Sequence, residues 1–128
     1  MLTLSHYIDR IRTLIESLGC GIVLFDHTLD HIGGRIDYQK REIRLNCPSA
    51  QDALLTLAHE GGHWVAYLLY GERPYQRPLR EVLANHFGWD LLLVVGADSR
   101  VTHQMWLEQC REDTAWAGHA AEVQDGHW

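Results

Sequence analysis

The sequence predicts an α+β domain with an N-terminal helix, a small three-stranded sheet and then three helices. Apolar residues keep helical spacing near the start and through the second half of the chain, whereas short runs with β-branched residues lie between them. The chain has 128 residues, 46% of them hydrophobic, which is enough for one domain with its own core. We therefore expect a single domain over residues 1–128 with a frayed tail at 124–128.

The first half predicts one helix and three strands. Apolar residues share one face of a helix from Leu4 to Leu18, and Gly19 follows its end. The run Gly21–Phe25 predicts a short strand, and residues 35–38 and 42–46 predict a hairpin. Alternation along the hairpin gives it one buried face, with the residues Ile36, Tyr38, Ile43 and Leu45.

The second half predicts three helices. Ser49 with Asp52 three residues later resembles a capping box, so a long helix is expected from there to Gly71. The next helix is expected over 79–95, with Pro78 in its first turn. Its buried residues are expected to be Leu79, Leu83, Phe87 and Leu91 or Leu92.

The last helix is expected to follow Gly96. Asp98 or Ser99 is the predicted cap, and the helix is expected to run to about Val123. The tryptophans at 64, 89, 106 and 116 are expected in the core or at its rim.

Composition and charge exclude several function classes. The formal net charge is −6 and the 11 basic residues are scattered, so nucleic acid is not expected as a direct partner. The longest apolar run, 91–95, is far too short to span a membrane, and the N-terminus lacks the pattern of a signal peptide. A cytoplasmic location is expected. Cys20, Cys47 and Cys110 share no CxxC spacing and are expected to act as small hydrophobic residues.

The segment His59-Glu60-Gly61-Gly62-His63 matches the pattern HExxH inside the predicted long helix. Residues four apart project from the same helix face, so both imidazoles can bind one ion. Zinc accepts such nitrogen ligands, and a catalytic zinc site adds a third protein ligand and an open position for water. Glu60 lies about 100° around the helix, from where its carboxylate can take a proton from the water.

The next helix offers Glu81 or His86 as the third ligand. They are five residues apart, about 140° around a helix, so both cannot reach one ion comfortably. Two glycines within the HExxH pattern and a strip of small residues beside Glu81 predict a close approach of the two helices. Glu81 is therefore favoured, and His86 is expected to be partly buried. The strip consists of Ala84, Asn85 and Gly88.

These residues resemble the ImmA/IrrE-type zinc metallopeptidases over about Gly34–Leu92. The matching parts are "GGRIDYQKREIRLN", "LAHEGGH" and "EVLANHFGWDLL", in the family's order. The resemblance implies a zincin-like fold with His59, His63 and Glu81 as zinc ligands, a gluzincin-like set, and Glu60 as the general base. The chain departs from the family's pattern at Gly61, at Gly88 and in lacking the "LLMP" helix ending.

The resemblance implies a zinc-dependent metalloendopeptidase acting on a protein substrate. A helix-turn-helix repressor supplied as a separate chain is one candidate substrate. The alternative is a non-catalytic zinc-containing regulatory or protein-interaction module that retains the HExxH site. A water in the fourth coordination position favours the enzyme, whereas a fourth protein ligand such as His103 favours the module. A metal-free domain with packed histidines is a third hypothesis.

Other polar groups have expected supporting roles. Asn85 is a candidate to hydrogen-bond a ligand histidine. An amide-hydrolysing site also needs a donor to the developing oxyanion. The candidates for that role are Tyr38, Tyr67, Tyr70 and His103.

Overall fold

The computed structural model describes residues 2–29, 33–71 and 77–111, without the side chains of 77 and 78. The α+β class with a small three-stranded sheet is confirmed. The elements in chain order are α1 (Leu4–Ser17), β1 (Gly21–Val23), β2 (Gly33–Asp37), β3 (Glu42–Asn46), α2 (Ala50–Tyr70), α3 (Arg77–Val94), a 3-10 helix (Ala97–Ser99) and α4 (103–111).

The sheet is mixed, with the order β1-β3-β2. β2 and β3 form the predicted antiparallel hairpin, in which Ile36 pairs with Ile43. β1 lies parallel to β3 on its other side. β1 is shorter than predicted because the chain leaves the sheet after Val23, and Phe25 is 67% exposed. Because β3 lies between β1 and β2, β2 is an edge strand within the described part of the chain.

The core lies between the sheet and the helices. Ile43 and Leu45 of β3 are fully buried, as are Ile11 and Ile15 of α1. Burying such side chains stabilises the fold by about 1.5–3 kcal/mol each. α2 has more buried residues than any other described element and packs against the sheet, α1 and α3.

α2 begins and ends where the sequence predicts. Its N-cap is Ser49, whose hydroxyl oxygen accepts a hydrogen bond from the backbone N–H of Asp52 at 3.2 Å. Its C-cap is Gly71, which has a φ of +73° that side-chain-bearing residues rarely adopt. None of the helices in the described ranges is long and apolar enough to cross a membrane.

The buried face of α3 differs in part from the prediction. Leu91 and Leu92 are buried as expected, but Leu79 is 46% exposed and Leu83 and Phe87 are half-buried. The helix is rotated so that small and polar side chains face α2 and its large residues near the N-terminal end lie at the surface. The additional buried residues are Glu81, Ala84, Asn85 and Gly88.

The predicted cap of the last helix is wrong. The residues Ala97–Ser99 form the 3-10 helix, and the Ser99 hydroxyl donates to the backbone oxygen of Gly96. α4 is capped by Thr102, whose hydroxyl oxygen accepts from the N–H of Met105 at 3.1 Å. Trp106 of α4 is buried. The predicted extension to Val123, the tail at 124–128 and Trp116 lie outside the described residues.

Candidate metal centre

His59 and His63 lie one turn apart on the buried face of α2. Their exposed fractions are 8% and 4%. The ring centroids are 4.8 Å apart and the ring planes are nearly perpendicular, at 86°. Both imidazoles project from the same helix face, as the HExxH spacing predicts, so their ring nitrogens lie close together.

Glu81 of α3 completes a group of three. Its Oε2 lies 2.7 Å from Nε2 of His59 and 3.4 Å from Nε2 of His63. The three ligand atoms all lie within 4.8 Å of one another, so this buried group could hold a metal ion. In the described part of the chain no fourth His, Cys, Asp or Glu belongs to the group.

The close approach of α2 and α3 depends on glycine. A Cβ atom at Gly62 would lie 2.0 Å from the backbone oxygen of Ala84, and one at Gly88 would lie 2.8 Å from the backbone oxygen of Ala58. Both distances are shorter than any real contact, so only glycine allows this helix crossing. The crossing brings the short side chain of Glu81 within reach of the imidazoles.

Gly61 serves another contact. A Cβ there would lie 2.5 Å from Cδ1 of Ile15 in α1 and 2.9 Å from Cδ1 of Leu91. The space that a larger residue would fill at this position is occupied by Ile15. The two glycines of the HExxH segment therefore have separate packing roles.

Asn85 fixes the ring of His59. Nδ1–H of His59 donates to Oδ1 of Asn85 at 2.7 Å, and the backbone oxygen of Asn85 accepts from Nε1–H of Trp106 at 3.2 Å. His59 therefore has an oxygen acceptor on each ring nitrogen, Asn85 on one side and Glu81 on the other. The carboxylate at Nε2 can be satisfied either by a proton on that nitrogen or by a metal ion bound to both groups. This donor arrangement fits a bound metal.

Neighbouring side chains favour the ionised form of the Glu81 carboxylate. Burial alone would raise its pKa, but hydrogen bonds from His59 and His63 and their charges outweigh that effect and lower the pKa to about 2. An ionised carboxylate is the form that binds a metal ion. The group therefore offers two nitrogen ligands and one anionic oxygen ligand.

Glu60 is buried beside the group without belonging to it. Its exposed fraction is 8%. A Cβ at Gly34 of β2 would lie 3.0 Å from Cγ of Glu60 and 2.7 Å from Cγ2 of Thr56, so β2 packs directly on this part of α2. Sequence reasoning did not single out Gly34 or Thr56. The Gly33-Gly34 pair inside a strand was the available signal, because such glycines mark a close backbone approach.

The other predicted candidates each contact a side chain outside the group of three. His86 is exposed rather than partly buried, with a side-chain exposure of 71%. The ring of His103 lies against Trp89 at 4.8 Å, and Tyr70 lies against Phe87. Tyr38 and Tyr67 stack on each other. His103 is not part of the described metal-binding group.

The cysteines do not take part in the group. Cys20 is buried, and burial together with the Glu42 carboxylate raises the pKa of its thiol to about 11, which keeps it in the inert thiol form. Cys47 and Cys110 are half-buried. The prediction of a small buried residue is therefore confirmed for Cys20 and only in part for the other two.

Comparison with protein families, with characterised proteins and with solved structures found no match to this chain.

Proposed function

We propose that the chain is a zinc-dependent metalloendopeptidase with a zincin-like fold, which hydrolyses a peptide bond in a protein substrate. The observation that carries this proposal is the convergence of His59, His63 and Glu81 on one buried point. Two imidazole nitrogens and one carboxylate oxygen are a donor set that suits zinc. Three protein ligands are the number found at catalytic zinc sites, whereas structural sites use four.

A bound zinc ion would act as a Lewis acid and lower the pKa of water at its open position towards 7. The chain's own residues supply the remaining functions. By accepting from Nδ1–H, Asn85 orients the His59 ring so that Nε2 is the ligand nitrogen. Glu60 accepts the proton of the attacking water on its carboxylate and delivers it to the nitrogen of the leaving amine.

The position of β2 favours a polypeptide substrate. β2 is an edge strand in the described part of the chain and packs on α2 at Glu60. An exposed strand edge can pair with an extended peptide through main-chain hydrogen bonds. Such pairing would hold a peptide bond near the group. A helix-turn-helix repressor in a separate chain remains one candidate substrate by family resemblance.

The replacement Glu60→Gln tests the proposal. We expect the zinc-loaded variant to keep its fold and its metal and to cleave a peptide library about 10²–10⁴-fold more slowly than the parent chain. The matched control is Glu108→Gln, which removes a carboxylate from the exposed surface of α4. The control should cleave at the parent's rate.

Two outcomes would contradict the proposal. Equal cleavage by Glu60→Gln and the parent chain would exclude Glu60 as the base. A zinc-loaded parent chain that cleaves no peptide or unfolded protein would leave the non-catalytic zinc module as the function.

A further inference from the structure

Three aromatic side chains form a row that links α2 to the end of β2. Tyr67 stacks on Tyr38 with ring centroids 4.7 Å apart and planes 25° apart. On α2, Tyr67 also lies 5.3 Å from the ring of Trp64. Trp64 is 2% exposed, and its Nε1–H donates to the backbone oxygen of Leu18 at 3.0 Å. The row is therefore anchored in the core at Trp64.

The other two rings of this aromatic row reach the surface. Tyr38 and Tyr67 are half-buried, so part of each ring remains accessible. Because each ring is held by its neighbour, the surface they present is formed before any ligand binds. Rigid aromatic side chains lose little conformational entropy when they bind a partner.

The aromatic row lies on the same side of α2 as Glu60. Tyr67 follows Glu60 by seven residues and His63 by four, which places it on their helix face about 10 Å and 6 Å further along the axis. Tyr38 follows Gly34, the β2 residue at Glu60, by four residues. β2 and α2 therefore both extend from Glu60 towards the same aromatic row.

We propose that this row is a specificity subsite for a large apolar or aromatic side chain of the substrate. The inference rests on the proposed peptidase function. An extended peptide advances about 3.3 Å per residue, so a chain lying along β2 reaches the row two or three residues from the cleaved bond. The selected side chain always lies on the same side of that bond, because the row stands at only one end of β2.

The aromatic surface of the row determines which class of substrate side chain is preferred. Rings favour offset or edge contacts with other rings and also pack against aliphatic groups. An acidic side chain at the same place would lose water and face the negative π surfaces of these rings. We expect the parent chain to prefer an aromatic or large aliphatic residue at this position by about 10-fold over an acidic one.

The test is cleavage-site profiling on a peptide library prepared from denatured cellular protein, using the zinc-loaded chain. Tyr38→Ser should lose the preference at that one position while still cleaving, and Tyr38→Phe should keep it. Tyr70→Ser is the matched control, since it removes an α2 aromatic ring that lies against Phe87 of α3. Thermal unfolding of each variant reports any purely structural effect.

The possible results separate the two proposals. If Tyr38→Ser lowers cleavage equally at all sites, or if the parent chain cleaves without any preference at this position, the subsite is wrong and the peptidase function stands. If the zinc-loaded parent cleaves nothing in the library, both are wrong. Loss of preference in Tyr38→Ser alone supports the subsite.

Discussion

Two carboxylates in this molecule, Asp26 near the sheet and Glu81 on α3, have equally low pKa values but different partners. Both are largely buried, and both have a pKa of about 2. Asp26 accepts hydrogen bonds from the hydroxyl and N–H of Thr28 and from Arg44 at 2.7 Å. Its partners are permanent donors, so this charged cluster is complete without any ligand.

Glu81 instead faces two imidazoles, which bind either protons or a metal ion. It lies where glycine lets two helices touch, in a group that consists of two imidazoles and this carboxylate. A low pKa alone therefore does not identify a functional carboxylate. What distinguishes Glu81 is that its partners can exchange a proton for a metal.

Among the variants that test this contrast between Glu81 and Asp26, the largest effect is expected from Gly62→Ala, and it is an effect on stability. The new Cβ would collide with the Ala84 backbone, and backbone atoms cannot move aside as a flexible side chain can. We expect the free energy of unfolding to fall by about 3 kcal/mol or more. Urea unfolding measures it. The matched control is Gly21→Ala in β1, where the nearest atom would be 3.7 Å away and the change should stay below about 1 kcal/mol.

An unchanged stability in Gly62→Ala would contradict the close helix crossing. The metal-binding group would then need another explanation, because Glu81 reaches the imidazoles only when the two helices touch.

A smaller effect is expected from Asn85→Ala, which removes the acceptor from Nδ1–H of His59. The ring loses its orientation, and we expect zinc affinity to fall about 10–100-fold. Competition with a chromophoric chelator measures the affinity. Asn85→Asp keeps an oxygen acceptor and should bind zinc more tightly than Asn85→Ala. Parent-like affinity in Asn85→Ala would show that His59 needs no such support.

The smallest effect is expected from Asp26→Asn, and it should depend on pH. The pKa of Asp26 is lowered from 3.8 to about 2 by its hydrogen bonds with Thr28 and Arg44. Its ionised form therefore stabilises the fold above pH 4, and this contribution is lost as the pH falls towards 2. The variant should be less stable than the parent at pH 6, and the difference should shrink at pH 2.5.

Urea midpoints at the two pH values measure this difference. Zinc affinity near neutral pH should not change in Asp26→Asn, because the Asp26 cluster is separate from the metal-binding group. A stability difference that is the same at pH 6 and pH 2.5 would show that ionised Asp26 is not the stabilising form.

The sequence was sufficient for features that depend on local chemistry. Ser49 and Gly71 mark the ends of α2, and the alternation over residues 35–38 and 42–46 predicts the hairpin in which Ile36 pairs with Ile43. The small residues on α2 and α3 also indicated the helix crossing, because glycine inside a helix needs a packing reason. The choice of Glu81 over His86 followed from that crossing.

Features that depend on tertiary packing were not predictable in the same way. The parallel pairing of β1 with β3 joins residues about twenty apart, with no turn signal between them. The exposure of Leu79 depends on how α3 rotates against α2. The cap at Thr102 depends on the 3-10 helix that holds Asp98 and Ser99. Tyr38 stacks on Tyr67 because β2 packs against α2, and the sequence alone does not predict that packing.

The proposed function requires that His59, His63 and Glu81 together hold one metal ion. Its most direct test is the zinc content of the untagged chain after zinc loading and removal of free metal. We expect about one zinc per parent chain and a large loss of zinc in Glu81→Ala, with circular dichroism showing that the variant remains folded. A folded parent chain without zinc, or a Glu81→Ala variant that retains the parent's zinc affinity, would contradict the claim.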